Sequence, residues 1–316
     1  YQDHLPLDRL RRRFLRTHNV GLAESTLSDW CIRLGEMLQP IVDLIHRSVL
    51  AAHVMQFDAT YIKMQDRGHA NNMRNCHLFC KLGDGRFVFF AFRLAHNKAV
   101  VKELLEEREG YVVADAHPHY DVVFDTSDAK CIEVGCWAHA RRPFYESLNG
   151  GDMRAAIGVK YIKKRNKIET KATTAEMSCE QRQTLRRTES EPVLRDMKQW
   201  VDTNLPNMVP GNDMYEALRY ANKHWRSLNR FVEDGRLPLN NGAVERIFRH
   251  IAIGRRNMLF FGSRRAGECS ANIYSVLATC HVNGVNPRDY LQDVLLKLAG
   301  GWPQDRMHEL LPHAWA

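Results

Sequence analysis

The stretch Asn75-Cys76-His77-Leu78-Phe79-Cys80-Lys81-Leu82-Gly83-Asp84-Gly85-Arg86-Phe87-Val88-Phe89-Phe90-Ala91-Phe92-Arg93 decides the fold class. Two runs rich in aromatic and aliphatic residues flank Gly-Asp-Gly, the signature of a tight hairpin turn. Cys76 and Cys80 sit in the first run. An extended chain sets residues four apart at about 13 Å, too far to chelate one ion, so both read as reduced, structural thiols. Working upstream, His53 to Phe57 predicts a strand that ends at Asp58. Downstream, Asn97 suits the cap of a helix through Arg108, with Val100, Val101, Leu104 and Leu105 as its apolar stripe. Tyr111 to Ala114 predicts a short buried strand ending at Asp115. Cys131 to Gly135 predicts another, leading into a helix near Trp137. Three strands, a helix, a strand and a strand–helix unit match an α/β fold of the RNase H-like kind, a mixed sheet flanked by helices.

The remainder is helical in pattern. Residues 7 to 18 predict a short basic helix, and a second helix is expected from Ser25-Thr26 to about residue 48. The Asn19-Val20-Gly21 turn between them fits a helix-turn-helix that reads DNA, and equally an ordinary helical hairpin. Residues 150 to 235 are poor in strand formers; Pro192 fits the first turn of one helix, and Met214 to Val232 shows a long amphipathic pattern. The expected organisation is a helical segment at 1–50, the first part of a catalytic core at 51–149, a helical insertion at 150–235, and the rest of the core with a C-terminal element at 236–316.

With 44% hydrophobic and 26% charged residues, the 316-residue chain is globular rather than disordered or collagenous. No apolar run reaches the roughly 18 residues of a membrane helix. The chain opens on Tyr1 without a charged-then-apolar leader, so a cytoplasmic protein is expected. Lys plus Arg exceed Asp plus Glu by 45 to 37. The excess favours polyanionic partners, most visibly at Arg9, Arg11, Arg12, Arg13 and Arg16 and at Lys160, Lys163, Lys164, Arg165 and Lys167. A solvated helix face is the plainer account of either cluster.

Asp58 and Asp115 are both expected at the ends of apolar strands, and Glu245 lies in Asn241-Gly242-Ala243-Val244-Glu245-Arg246, a helix start. Three carboxylates are hard oxygen ligands suited to Mg²⁺. A pair of such ions activates an attacking water or 3′-hydroxyl and stabilises the leaving oxygen of a phosphodiester. Singly, each acid is an ordinary surface or capping residue. Arg141, Arg142, Arg246, Arg249, Arg255 and Arg256 are candidate phosphate contacts, although Arg249 also suits a helix ion pair with Glu245. Cys136 and His139 are too few for a zinc site. Trp225 suits either base stacking or the core.

Several ordered stretches resemble the insertion-sequence-66 family of bacterial DDE transposases. They begin with Asp3-His4-Leu5-Pro6-Leu7, Thr26-Leu27-Ser28-Asp29-Trp30, Asp58-Ala59-Thr60, and Ala114-Asp115-Ala116 with Tyr120. Cys136-Trp137-Ala138-His139-Ala140-Arg141-Arg142, Val244-Glu245-Arg246, Ala252-Ile253-Gly254-Arg255-Arg256-Asn257 and Leu259-Phe260-Phe261-Gly262-Ser263 follow. Asn283-Gly284-Val285-Asn286-Pro287 and Glu309-Leu310-Leu311-Pro312 carry the match to the end. The resemblance implies an acidic triad of Asp58, Asp115 and Glu245 holding two Mg²⁺ ions, replaceable by Mn²⁺. It implies double-stranded DNA as partner, both the element's terminal inverted repeats and the target, with end cleavage and strand transfer. A homo-oligomer on DNA, accessory proteins of the same element and association with the bacterial nucleoid are implied as well. An RNase H-like nuclease without strand joining, or an inert DNA-binding derivative, would share the same residues. The chain departs from the family pattern at Ala59, where an acid is usual, and at Asn240-Asn241-Gly242, where Asp-Asn-Asn is usual.

Overall fold

The computed structural model describes residues 4–125 and 129–315. Its elements run α1 (Leu7–His18), α2 (Glu24–Met37), α3 (Gln39–Ala51), β1 (Val54–Gln65), β2 (Met73–Gly83), β3 (Phe87–Arg93), α4 (Lys98–Leu105), β4 (Gly110–Ala114), α5 (Asp121–Phe124) and β5 (Cys131–Gly135). Then come α6 (Trp137–Asn149), α7 (Ala155–Thr174), α8 (Cys179–Leu185), α9 (Glu191–Asn204), α10 (Asp213–Lys223), α11 (Trp225–Asn229), α12 (Gly242–Asn257), α13 (Arg264–Val282) and α14 (Pro287–Ala299). The strands form one mixed sheet in the order β3-β2-β1-β4-β5, flanked by helices, consistent with an RNase H-like α/β fold. Contacts divide the chain into two units. The first holds residues 1–110, 119–131 and 243–316; the second holds 111–118 and 132–242.

The expected hairpin organises the first unit. Asp84 and Gly85 adopt φ of 47° and 70°, the left-handed pair that tight hairpin turns favour, in a three-residue connection between the paired Gly83 and Phe87. Arg86 N–H closes the turn on the Gly83 carbonyl at 2.9 Å. The Asp84 carboxylate accepts from His53 N–H at 3.0 Å and Val54 N–H at 2.9 Å, so the turn also fixes where β1 starts. β1 and β2 pair antiparallel from Met55 opposite Gly83 to Gln65 opposite Met73. β3 lies at the sheet's edge, where unpaired backbone groups invite association. α13 covers it: Phe90 N–H donates to Ser275 Oγ at 2.8 Å and Val88 N–H to Thr279 Oγ1 at 3.1 Å. α13 is in turn packed close to α2, where a methyl built on Gly35 would lie 2.6 Å from the Cys269 carbonyl oxygen.

Asn97 caps α4 by accepting from Val100 N–H at 3.0 Å, as expected. The single helix expected from residue 25 to 48 is instead α2 and α3, broken at Leu38. Pro40 has no N–H to continue the ladder, and its ring disfavours the helix behind it.

In the second unit, Trp137 is buried and donates from Nε1 to the Leu228 carbonyl at 2.6 Å. The buried Arg165 guanidinium lies 4.4 Å from the Trp137 ring. Glu169 receives Arg186 Nε at 2.7 Å, and Arg186 Nη1 donates to the Phe231 carbonyl at 2.7 Å. Burial opposes ionisation of Glu169, yet its hydrogen bond with Arg186 and the nearby cations hold its carboxyl below the ordinary range. Pro192 occupies the first turn of α9, as its position predicted.

Lys81 on β2 is fully buried, with Nζ 2.9 Å from His46 Nε2 and donating to the Leu104 carbonyl. Burial, with the charge of Arg93 adding, lowers its ammonium to about 7 from an ordinary 10.5. Between those values the unfolded chain binds the extra proton, so stability rises with pH across that window. From about pH 7 to about pH 9, unfolding free energy should gain about 2 kcal/mol more in wild type than in Lys81→Met. Denaturant titrations of both proteins across that range check this, and parallel curves would refute it.

Candidate active site

The structure first moves Asp58. It lies inside β1, not at the end of a strand, because the chain continues extended through Gln65. Beyond Asp58 the alternation persists: Ile62 and Met64 are buried while Tyr61, Lys63 and Gln65 are exposed. Asp58 shares the parity of Ile62 and Met64, and its cross-strand partner Cys80 belongs with them to one apolar cluster. Val244, Phe248 and Ile251 of α12 complete that cluster. Asp58 therefore belongs to the sheet face that α12 covers. Its Oδ1 accepts from Ala59 N–H at 2.7 Å.

Glu245 sits in the first turn of α12, exposed and directly after the buried Val244. It makes no ion pair with Arg249 among the described residues. Within the first unit, then, the strand of Asp58 and the helix of Glu245 pack through shared apolar residues.

Asp115 follows directly on the last residue of β4, as expected. Its Oδ1 is shut off from solvent and has no hydrogen-bond partner among the described residues. An unsatisfied buried acceptor costs about 1–3 kcal/mol, and a carboxylate oxygen left this way has the chemistry of a cation ligand. Burial, reinforced by the charges of Cys136 and Asp115, raises the Tyr220 phenol of the same unit well above its ordinary value.

The loop leading to α12 is anchored from the second unit's own residues. Leu239 carbonyl accepts from Trp137 N–H at 3.0 Å. Cys136 Sγ accepts from Asn241 N–H at 3.3 Å, which gives that thiol a structural place. Asn240 Oδ1 accepts from Gly242 N–H at 2.9 Å.

The candidate arginines divide by circumstance. Arg255 is half-buried and fixed on β1: Nη1 donates to Thr60 Oγ1 at 3.1 Å and to the Tyr61 carbonyl at 2.6 Å, with the guanidinium 4.4 Å from the Tyr61 ring. Arg246, Arg249 and Arg256 are exposed. Arg142 is exposed too, and Arg141 lies 3.9 Å from the Tyr145 ring. On α1, Arg11 and Arg12 pair with Asp8 at 3.0 Å and 2.9 Å, whereas Arg13 is exposed. Trp225 packs edge-on to Trp137 at 6.3 Å and is only partly exposed, closer to the core reading. The sequence reading missed the Arg255–β1 link and the orphaned Asp115 oxygen. Only the folded chain reveals either, since each depends on groups far apart in sequence or on exclusion of water.

The chain belongs to the Transposase IS66 family, which it matches over residues 1–269, and the IS66 C-terminal element follows over residues 275–313. Among curated proteins it is similar to the uncharacterized proteins y4hP and y4qI of Sinorhizobium fredii (strain NBRC 101917 / NGR234). It is 29% identical to y4hP over 99% of this chain and 59% of the relative, and 28% identical to y4qI over 99% and 60%. The chain thus spans about three-fifths of the length of these relatives. No helix among the described residues is long and apolar enough to cross a membrane.

Transposases of the DDE type generally use a divalent metal. The Asp115 oxygen, buried and without a hydrogen-bond partner among the described residues, has the chemistry to fit such an ion. If Asp115 awaits a cation, Asp115→Asn in chelator should melt about 2 °C above wild type. Added Mg²⁺ or Mn²⁺ should raise the wild-type midpoint and leave the variant's unmoved. Differential scanning calorimetry with and without metal reads both effects; equal responses in the two proteins would remove Asp115 from the site.

Proposed function

We propose that this protein is a DNA transposase that binds the ends of its element, cleaves phosphodiester bonds there and transfers the strand to target DNA. The observation that carries the reading is the Asp115 oxygen, closed to water and without a hydrogen-bond donor among the described residues, immediately after a sheet strand. Support comes from α12, whose apolar residues pack on the Asp58 face of β1. Family membership supplies the reaction class.

Asp58, Asp115 and Glu245 would hold a pair of Mg²⁺ ions, which supply Lewis acidity to the attacking and leaving oxygens of the phosphodiester. The chain's own residues do the rest. Ala59 N–H fixes the orientation of the Asp58 carboxylate. The apolar seam between β1 and α12 keeps Glu245 over the sheet face that carries Asp58. Arg246, Arg249 and Arg256, exposed on the same helix, present guanidinium groups to the DNA backbone. Arg141 and Arg142 do so from α6. On α1, the exposed Arg13 and Arg16 are not engaged by Asp8, which holds Arg11 and Arg12.

Asp115→Asn preserves shape and removes a charge that metal binding requires. End cleavage and joining should fall by orders of magnitude while DNA affinity stays within a few-fold. The assay uses the element's own ends and a supercoiled target, with cleavage and joining scored separately. Cleavage without joining would replace the transposase by a nuclease; binding with neither would leave a DNA-holding derivative. Phosphate contact by α1 has its own readout. Arg13→Ala should flatten the dependence of log affinity on log salt by about one unit, and an unchanged slope returns this helix face to solvent.

A further inference from the structure

After α12 the chain doubles back along the far part of β1. Phe261 N–H donates to the Lys63 carbonyl at 2.9 Å, and Gln65 N–H donates to the Phe261 carbonyl at 2.8 Å. Phe261 turns inward, its ring 5.7 Å from that of Phe92 and edge-on to it. Extended geometry sends the preceding side chain the other way. Phe260 is accordingly 45% exposed, and Leu259 beside it is 66% exposed. Tyr61, on the same part of β1, is 58% exposed under the Arg255 guanidinium.

Large apolar side chains left together in water mark an interaction site. Cations frame this patch: Lys63 and Arg256 are exposed, and Arg255 uses Nη1 on β1 while its other donors remain for a ligand. Aromatic faces interleaved with arginines suit nucleic acid, the rings meeting bases and the guanidiniums meeting phosphates. Inside a duplex every base face is covered by its neighbours, leaving only phosphates and base edges, and a flush end opens only the one face of its last pair. The bare ring therefore fits an unpaired base.

We propose that Phe260, with Leu259 and Tyr61, forms a stacking platform for an unpaired base at a DNA end, and that Arg255, Arg256 and Lys63 take the flanking phosphates. The idea rests on the transposase reading and names the substrate form that its site accepts. Tyr61 lies three residues beyond Asp58, about 10 Å along β1 and on the opposite face of that strand, so the platform engages the end apart from the face that carries that acid. The platform catches the frayed strand.

The test uses the full chain and two probes, a flush duplex and the same duplex with a short single-stranded 3′ overhang containing 2-aminopurine. Wild type should bind the overhang probe about tenfold more tightly than the flush one and quench its fluorescence. Phe260→Ala should lose the preference and the quenching, keep its affinity for flush duplex, and melt at the wild-type temperature because the ring is exposed. Phe260→Trp should retain both properties. A Phe260→Ala protein that still prefers and quenches the overhang overturns the proposal, as does equal weakening on both probes. Wild type that cuts element ends without any overhang preference sinks the platform and spares the transposase reading. Wild type that binds neither probe sinks both. Self-association without DNA that Phe260→Ala abolishes would give the patch to a second copy of the chain and overturn the base-stacking role.

Discussion

The antiparallel ladder between β1 and β2 is the constraint on which the first unit depends. Its register is set at one end by the Asp84 carboxylate, which holds the first residues of β1 against the hairpin turn. With the register fixed, side-chain alternation leaves no freedom: a slip of one residue would carry Asp58, Ile62 and Met64 to the opposite face. Ile62 and Met64 would then leave the apolar cluster they share with α12, and the helix bearing Glu245 would lose its seat. The position of an acid in the proposed site thus follows from a turn far along the chain. Arg255 reinforces the same relation from the other direction, tying the last turn of α12 to Thr60 and Tyr61.

The basic balance of the chain divides into two populations with different physics. Arg108, Arg165, Arg186 and Lys81 are buried. Arg108 donates to the carbonyls of Leu50, Ala52 and His53, closing the passage from α3 into β1. Arg186 satisfies Glu169 and two backbone carbonyls. Arg165 faces the Trp137 ring, and burial lowers its guanidinium to about 9. Such cations are fully desolvated and cannot reach a phosphate. The charge open to a polyanion is therefore smaller than the count of Lys and Arg indicates, although exposed cations remain on α1, α6, α7 and α12.

Elements with strong local chemistry were legible from sequence. The Gly83-Asp84-Gly85 turn, the Asn97 cap, Pro192 in a first turn and the passage from Cys131–Gly135 into the Trp137 helix all carry their cause within a few residues. Misreadings occurred where tertiary pairing overruled a local signal. Asp58 has poor strand propensity, so the strand was expected to stop there; pairing with β2 carries it on to Gln65. The amphipathic pattern expected from Met214 to Val232 is split at His224 into α10 and α11. The acids could be named from their positions after apolar runs and from resemblance. The unpartnered Asp115 oxygen could not, because a missing donor is a property of three-dimensional enclosure.

The two departures from the family pattern can be weighed by geometry. Ala59 lies on the face of β1 opposite Asp58, with Phe57 and Tyr61, since neighbours along a strand point to opposite sides. An acid at that position would not stand beside the Asp58 carboxylate, so its absence removes no ligand from that face. What Asp58 takes from residue 59 is a backbone N–H, which alanine supplies as well as glutamate. Asn240 replaces a charged side chain with a neutral one, yet its amide oxygen accepts from Gly242 N–H as a carboxylate would, and the turn into α12 is kept. The next residue, Asn241, is buried and donates its N–H to Cys136 Sγ, so the loop is pinned independently of charge at residue 240. Both substitutions leave the backbone that presents Asp58 and Glu245 intact, and neither gives a physical reason to read the chain as a decayed enzyme.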